Sequence, residues 1–133
     1  MEEIKTEVLP TLVGASPEKL AHAIFDVLDA KKAKDIKVLH VREQTVLADY
    51  FVICTATSTT QIKAMSDACE EAMEKNGEQV HHIEGHRGGT WVLMDFSSVV
   101  VHIFMDEARK FYDLERLWGD AQEEDLSQVL KPE

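Results

Sequence analysis

The sequence predicts an α/β fold in which a mixed sheet of about five strands carries at least three helices. Two observations predict it. Capped segments with apolar residues at helical spacing, starting at Ser16 and Ser58, alternate with β-branched runs at Ile36 to Val41, Tyr50 to Cys54 and Val99 to Phe104. The chain has 133 residues, 44% of them hydrophobic and 29% charged, which is apolar material for one core and too little for two. The domain is expected over residues 16–121, with residues 1–15 as an N-terminal arm, because Pro10 and Gly14 fall there without a sustained period, and residues 122–133 as an acidic C-terminal tail.

The first helix starts at Ser16, whose hydroxyl suits the N-cap, with Pro17 at the first helical position and Leu20, Ile24, Phe25 and Leu28 as one stripe. Lys31, Lys32 and Lys34 complement its C-terminal end. The strand at Ile36 to Val41 and the wholly apolar run Tyr50 to Cys54 are separated by too few residues for a helical crossover, so they are expected to be antiparallel neighbours, the second central. Ser58 to Gln61 matches a reciprocal capping box, and the helix behind it runs through Ile62, Met65, Cys69 and Met73 to Asn76-Gly77. A strand at Gln79 to Ile83 follows, parallel to the strand before the helix. Trp91 to Phe96 and Val99 to Phe104 then form a hairpin turned at Ser97-Ser98. Asp106 is placed to cap a last helix, with Ala108, Phe111, Leu114 or Glu115, and Trp118 on one side. The remaining acidic segment is read as a short helix or frayed tail.

Charge narrows function. Subtracting 25 acidic from 14 basic side chains leaves a net charge of -11, which repels bare phosphate backbones and disfavours non-specific nucleic-acid binding. Cys54 and Cys69 sit in apolar runs without C-x-x-C spacing and read as buried, reduced thiols. No run approaches the ~18 apolar residues of a bilayer span, and the start Met-Glu-Glu-Ile-Lys has no basic leader, so a cytosol-like compartment is expected.

Candidate chemistry is sparse. His82, Glu84 and His86 share a side in an extended chain, a possible metal half-site, but the spacing fits no helical zinc motif and Gly85 interrupts it. A strand, a Thr-x-Thr-Ser turn and a capped helix also begin many nucleotidyltransferase-like folds. Those enzymes gather two or three carboxylates around magnesium, however, and here Asp95 has no Asp-x-Asp partner and Asp49 precedes a different strand. A metal-dependent nucleotidyl- or phosphoryl-transfer enzyme stays as the alternative reading. Cys54 is too apolar in its surroundings for a nucleophile, and Ser58 is explained as a cap. What stands out is the block from Val99 to Trp118, dense in the aromatic and Arg residues that anchor protein interfaces.

Four blocks in order carry a resemblance: Leu47 to Cys54, Thr55 to Gln61, Glu84-Gly85 with Trp91 to Asp95, and Val101 to Phe104 leading into Glu107 to Trp118. Together they make the chain similar to the ribosomal silencing factor family, also called Iojap-like proteins. Ala56 stands where that family usually has glycine. The resemblance implies a nucleotidyltransferase-like topology without the catalytic acids, no cofactor and no enzymatic activity. It also implies a translational repressor that docks on the large ribosomal subunit at its fourteenth protein, blocks joining of the small subunit and damps translation under nutrient limitation. The acidic balance agrees with a basic protein partner and little direct rRNA contact. Bacterial cytoplasm is expected ahead of an organelle matrix, and a weak homodimer when the protein is free. Along the hairpin, Trp91 and Asp95 share one face, as do His102 and Phe104 on the partner strand, and Arg109, Tyr112 and Glu115 continue into the last helix. These seven are the expected partner-binding residues, with a core role for Trp91 as the competing reading.

Overall fold

The computed structural model describes residues 15–85 and 89–119 and the backbone of 122–123. Helix α1 (Pro17–Ala30) is capped as expected, Ser16 Oγ accepting from the Lys19 N–H at 3.2 Å, and it buries Leu20, Ala21, Ile24, Phe25 and Leu28. Lys31 lies just past its end, and Lys32, at φ 68°, turns the chain into strand β1 (Lys34–His40). A bulge between Lys34 and Lys37, with Asp35 at φ 50°, lets β1 begin two residues earlier than its apolar run.

β1 pairs antiparallel with β2 (Tyr50–Ala56), every residue of which is buried, so β2 is the central strand its composition predicts. Helix α2 (Thr59–Lys75) begins with Ser58 Oγ accepting from the Gln61 N–H at 3.0 Å. The reciprocal half of the capping box is displaced by one residue. Gln61 Oε1 accepts from the Thr57 N–H at 2.6 Å, and Gln61 Nε2 donates to the Lys31 and Lys32 carbonyls at 3.2 and 3.3 Å. One side chain thereby ties the start of α2 to the end of α1.

The strand after α2 is β3 (His82–Glu84), shorter and later than the expected Gln79 to Ile83. It runs in the same direction as β2 but is not its neighbour. β4 (Trp91–Asp95) and β5 (Val99–Met105) lie between them, in the strand order β3-β4-β5-β2-β1-β6. The place beside β2 goes to β5, which is buried at six of its seven residues, whereas β3 carries exposed His82 and Glu84 and suits an edge. The β4–β5 hairpin turns at Ser97 (φ 77°), whose N–H donates to Asp95 Oδ1 at 2.7 Å.

The single last helix predicted from Asp106 is instead two. α3 (Asp106–Tyr112) ends at Asp113, which adopts the left-handed conformation at φ 51°, and α4 (Leu114–Leu117) restarts from it. Met105 occupies the cap position without a side-chain bond, and Asp106 is the first helical residue. The break turns Leu114 and Trp118 onto the sheet and leaves Phe111 80% exposed, whereas a continuous helix would put all three on one side. The last described pairing is β6 (Gln122–Glu123) against His40 and Leu39, a short strand where a helix or frayed tail was expected.

Two cores result. α1 and α2 cover one sheet face with Val38, Val52, Cys54, Met94, Val101 and Ile103 beneath them. On the opposite face Leu39, Phe51, Ile53, Val100 and Phe104 meet Leu114, and the short α3–α4 elbow roofs only part of that side. The β4 end of this face is half-open.

Candidate partner-binding face

Alternation along β4 sends Val92 and Met94 under the helices and Trp91, Leu93 and Asp95 to the half-open face. Cross-strand register sets Trp91 opposite Phe104, Leu93 opposite His102 and Asp95 opposite Val100. On the edge side Glu84 pairs with Leu93 and His82 with Asp95, so both polar side chains lie on the same face. The approach to Trp91 is shaped by backbone: a Cβ added at Gly85, itself at φ +76°, would stand 2.1 Å from the Trp91 carbonyl oxygen.

The Trp91 ring is the hub of an aromatic cluster. Its centroid lies 5.0 Å from Phe104, 4.5 Å from Tyr112 and 5.9 Å from His102, and Phe51 bridges His102 to Trp118 at 4.9 and 5.1 Å. Trp91 Nε1–H donates to His102 Nδ1 at 3.2 Å, which places the imidazole's own proton on Nε2. Burial pushes the His102 pKa down to about 4, so the ring is neutral at physiological pH. Phe104 is fully buried. Tyr112 and Phe111 carry the apolar surface outward along a groove of about 790 Å³ that they share with Thr90, Met105 and Ala108.

Arg109 and Glu115 take a different position from the aromatic hub. Arg109 is 8% exposed, and its Nη1 donates to the Asp35 carbonyl at 2.7 Å and to Thr55 Oγ1 at 2.8 Å. Its Nε and Nη2 both reach Glu115 Oε2, at 3.0 and 2.7 Å. Burial raises the Glu115 pKa, but the hydrogen bonds and charge of Arg109 outweigh it and leave the carboxyl below its ordinary value. The pair lines a polar cleft of about 540 Å³ with Lys37, Lys110 and Asp113.

Of the seven residues expected from sequence, the structure brings together Trp91, His102, Phe104 and Tyr112. Asp95 stands at the far end of β4, occupied with the Ser97 turn, and Arg109 and Glu115 bind each other. Leu93, Glu84 and Phe111 are not among those seven, although the sequence reading sets Leu93 on the same strand face as Trp91 and Asp95. Leu93 was legible from strand alternation, whereas Phe111 was hidden by the assumption of an unbroken helix.

The other candidates are also placed. His82 Nε2 and Glu84 Oε2 are 2.6 Å apart and exposed, His86 lies outside the described residues, and no group of three or more His, Cys, Asp or Glu suited to a metal occurs among those described. Asp49 lies 3.7 Å from Arg42 at the start of β2, and Asp95 is on β4. Cys54 and Cys69 are buried; burial raises both thiols, Cys69 to about 12. No helix among the described residues is long and apolar enough to cross a membrane.

The sequence matches a known family along most of its length. The profile of the family described as "Ribosomal silencing factor during starvation" matches residues 14–133. The chain belongs to the ribosomal silencing factor family. It is 42% identical over 98 residues to ribosomal silencing factor RsfS of Bacillus subtilis, covering 74% of this chain and 83% of that one. It is 33% identical over 115 residues to the RsfS of Halalkalibacterium halodurans, covering 86% and 98%. A likeness at 41% identity over 90 residues extends to the chloroplastic protein Iojap of Zea mays, of which 39% is covered. The fold matches a crystal structure of a Chromobacterium violaceum protein with TM-score 0.76 at 32% identity, covering 78% of this chain and 87% of that one. A Bacillus halodurans structure matches with TM-score 0.73 at 29% identity, covering 82% and 99%. Membership in a ribosomal silencing family fits a regulator of translation.

Proposed function

We propose that the chain represses translation without catalysis, by docking on the large ribosomal subunit at its fourteenth protein and occupying the face where the small subunit joins. The observation that carries this reading is the half-open face around Trp91. An aromatic hub, braced from below by buried Phe104 and His102 and continued outward by Leu93, Tyr112 and Phe111, is the kind of rigid apolar centre that anchors protein interfaces. Glu84 and Asp95 set carboxylates beside it, and the whole chain carries -11. That charge favours a basic protein surface over exposed rRNA. The folded unit of residues 16–121 is sufficient for this contact, it acts in a bacterial cytoplasm, and the same face pairs weakly with a second copy when no ribosome is present.

The test is cosedimentation of the purified chain with isolated large and small subunits of its own organism, together with a subunit-joining assay. Binding to large subunits alone, with joining inhibited in proportion to occupancy, is the expected result. Failure to pellet with large subunits sinks the proposal.

A further inference from the structure

Among the described residues the aromatic hub holds one side-chain hydrogen bond, and it points inward. Trp91 Nε1–H, the only polar group of the indole, is spent on His102 Nδ1 at 3.2 Å. Ring stacking alone would not choose this arrangement. The indole turns about a broad, roughly two-fold torsion, so a directional bond to His102 can select one orientation where stacking on Phe104 and Tyr112 is less selective. Nor does packing alone explain a histidine at this place. His102 lies on β5, beside the fully buried β2, with Ile53 and Leu93 as its strand partners and Phe51 against its ring, a site an apolar residue would fill. Its Nε2 is buried with no hydrogen-bond partner among the described residues, so the imidazole carries a desolvation cost that its bond to Trp91 only partly offsets.

We propose that His102 is a positioning residue for partner binding: it accepts the indole proton, holds Trp91 in one orientation, and makes the docking face read an apolar group against the indole instead of a hydrogen-bond acceptor. The inference rests on the docking role argued above for the same face. With its donor turned inward, Trp91 offers a partner only carbon surface and π-density, so the complementary group is an aliphatic or aromatic side chain.

The experiment uses the full chain with His102→Phe, which keeps a ring and removes the acceptor, and His102→Gln, which keeps an acceptor. The Trp91 indole N–H resonance, assigned with Trp91→Phe, is followed for shift and solvent exchange, and affinity for purified large ribosomal subunits is measured in parallel. In His102→Phe the indole proton is expected to lose protection and the affinity to fall about tenfold, while His102→Gln retains most of both. In the Trp91→Phe background the same His102→Phe change is expected to add no further loss, because the bond it removes is already absent. An unchanged indole resonance overturns the inference, and so does an affinity loss of the same size in both backgrounds. If His102→Phe does not fold, His102→Gln decides: an unprotected indole with full affinity overturns the role. A parent chain that ignores large subunits refutes the docking reading, and the indole readout, which needs no ribosome, then decides the orientation alone.

Discussion

Single residues on this face divide into those that present and those that support. Trp91 is half-buried: it is packed on Phe104 and Tyr112 yet part of its ring reaches the surface. Trp91→Ala is therefore expected to cost about 2 kcal/mol or more in binding to large subunits, and less than the roughly 3 to 5 kcal/mol in folding that a fully buried tryptophan would lose. Chemical denaturation and subunit binding on the same variant check the split. Normal affinity in the folded fraction would reassign Trp91 to the core. His102 brings a pH dependence with a definite sign. Its folded pKa of about 4 lies below the unfolded value near 6.5, so between those limits the unfolded chain holds a proton that the folded chain excludes. Stability present above about pH 6.5 is accordingly lost as the pH falls towards 4, by on the order of 3 kcal/mol in full. Asp26, raised by burial, works in the opposite direction, and the loss tied to Glu115 comes below that carboxyl's ordinary range. The contribution of His102 is thus the difference between parent and His102→Gln in urea titrations at pH 7, 6 and 5. Parallel pH profiles for the two would contradict it.

Elements meet through a few side chains, and among the described residues Arg109 joins four elements. From α3 it reaches the bulge of β1, the hydroxyl of Thr55 on β2 and the carboxylate of Glu115 on α4. Arg109→Ala is expected to destabilise the fold by about 3 kcal/mol, because it empties a buried site and strands Glu115 and Thr55 together. Arg109→Lys should recover only part of this, since an ammonium cannot make the paired bonds of the guanidinium fork. Thermal unfolding of both variants checks the order; equal stability for Lys and Arg would refute it. The elements also show what the sequence makes legible. α1, α2 and the β4–β5 hairpin were readable because their signals are local: Ser16-Pro17, Ser58 with Gln61, and alternation on either side of Ser97-Ser98. The elbow at Asp113 was not, since it depends on one backbone angle chosen by where Leu114 and Trp118 must land. Nor was the place of β3, which is settled by the competition of two later strands for the side of β2. At the site, residue types singled out Trp91, His102, Arg109 and Glu115, but only the fold reveals that Trp91 and His102 meet while Arg109 is taken up by Glu115, Asp35 and Thr55.

At the scale of the whole molecule, α1 and α2 on one side and an aromatic face only partly covered by α3 and α4 on the other make an asymmetric slab with a net charge of -11. Contact with a basic protein implies that affinity falls with rising salt, but gently. A plot of log affinity against log salt is expected to stay well short of the slope of about -5 that a contact with six phosphates gives, and a slope that steep would assign the main contact to rRNA.

The strand edges limit how anything can attach to this slab. β6 pairs only with Leu39 and His40 and leaves the rest of β1's outer edge without a described strand neighbour, whereas the border nearest the aromatic face is β3, only three residues long. Continuation of the sheet by a visiting strand draws its energy from main-chain bonds and tolerates side-chain changes. With that route short, an attachment here depends on side chains meeting flat against the sheet, where few of them can be replaced without loss. The open stretch of β1 is guarded in another way: Lys34, Lys37 and the bulge between them are features that discourage a second copy from pairing there.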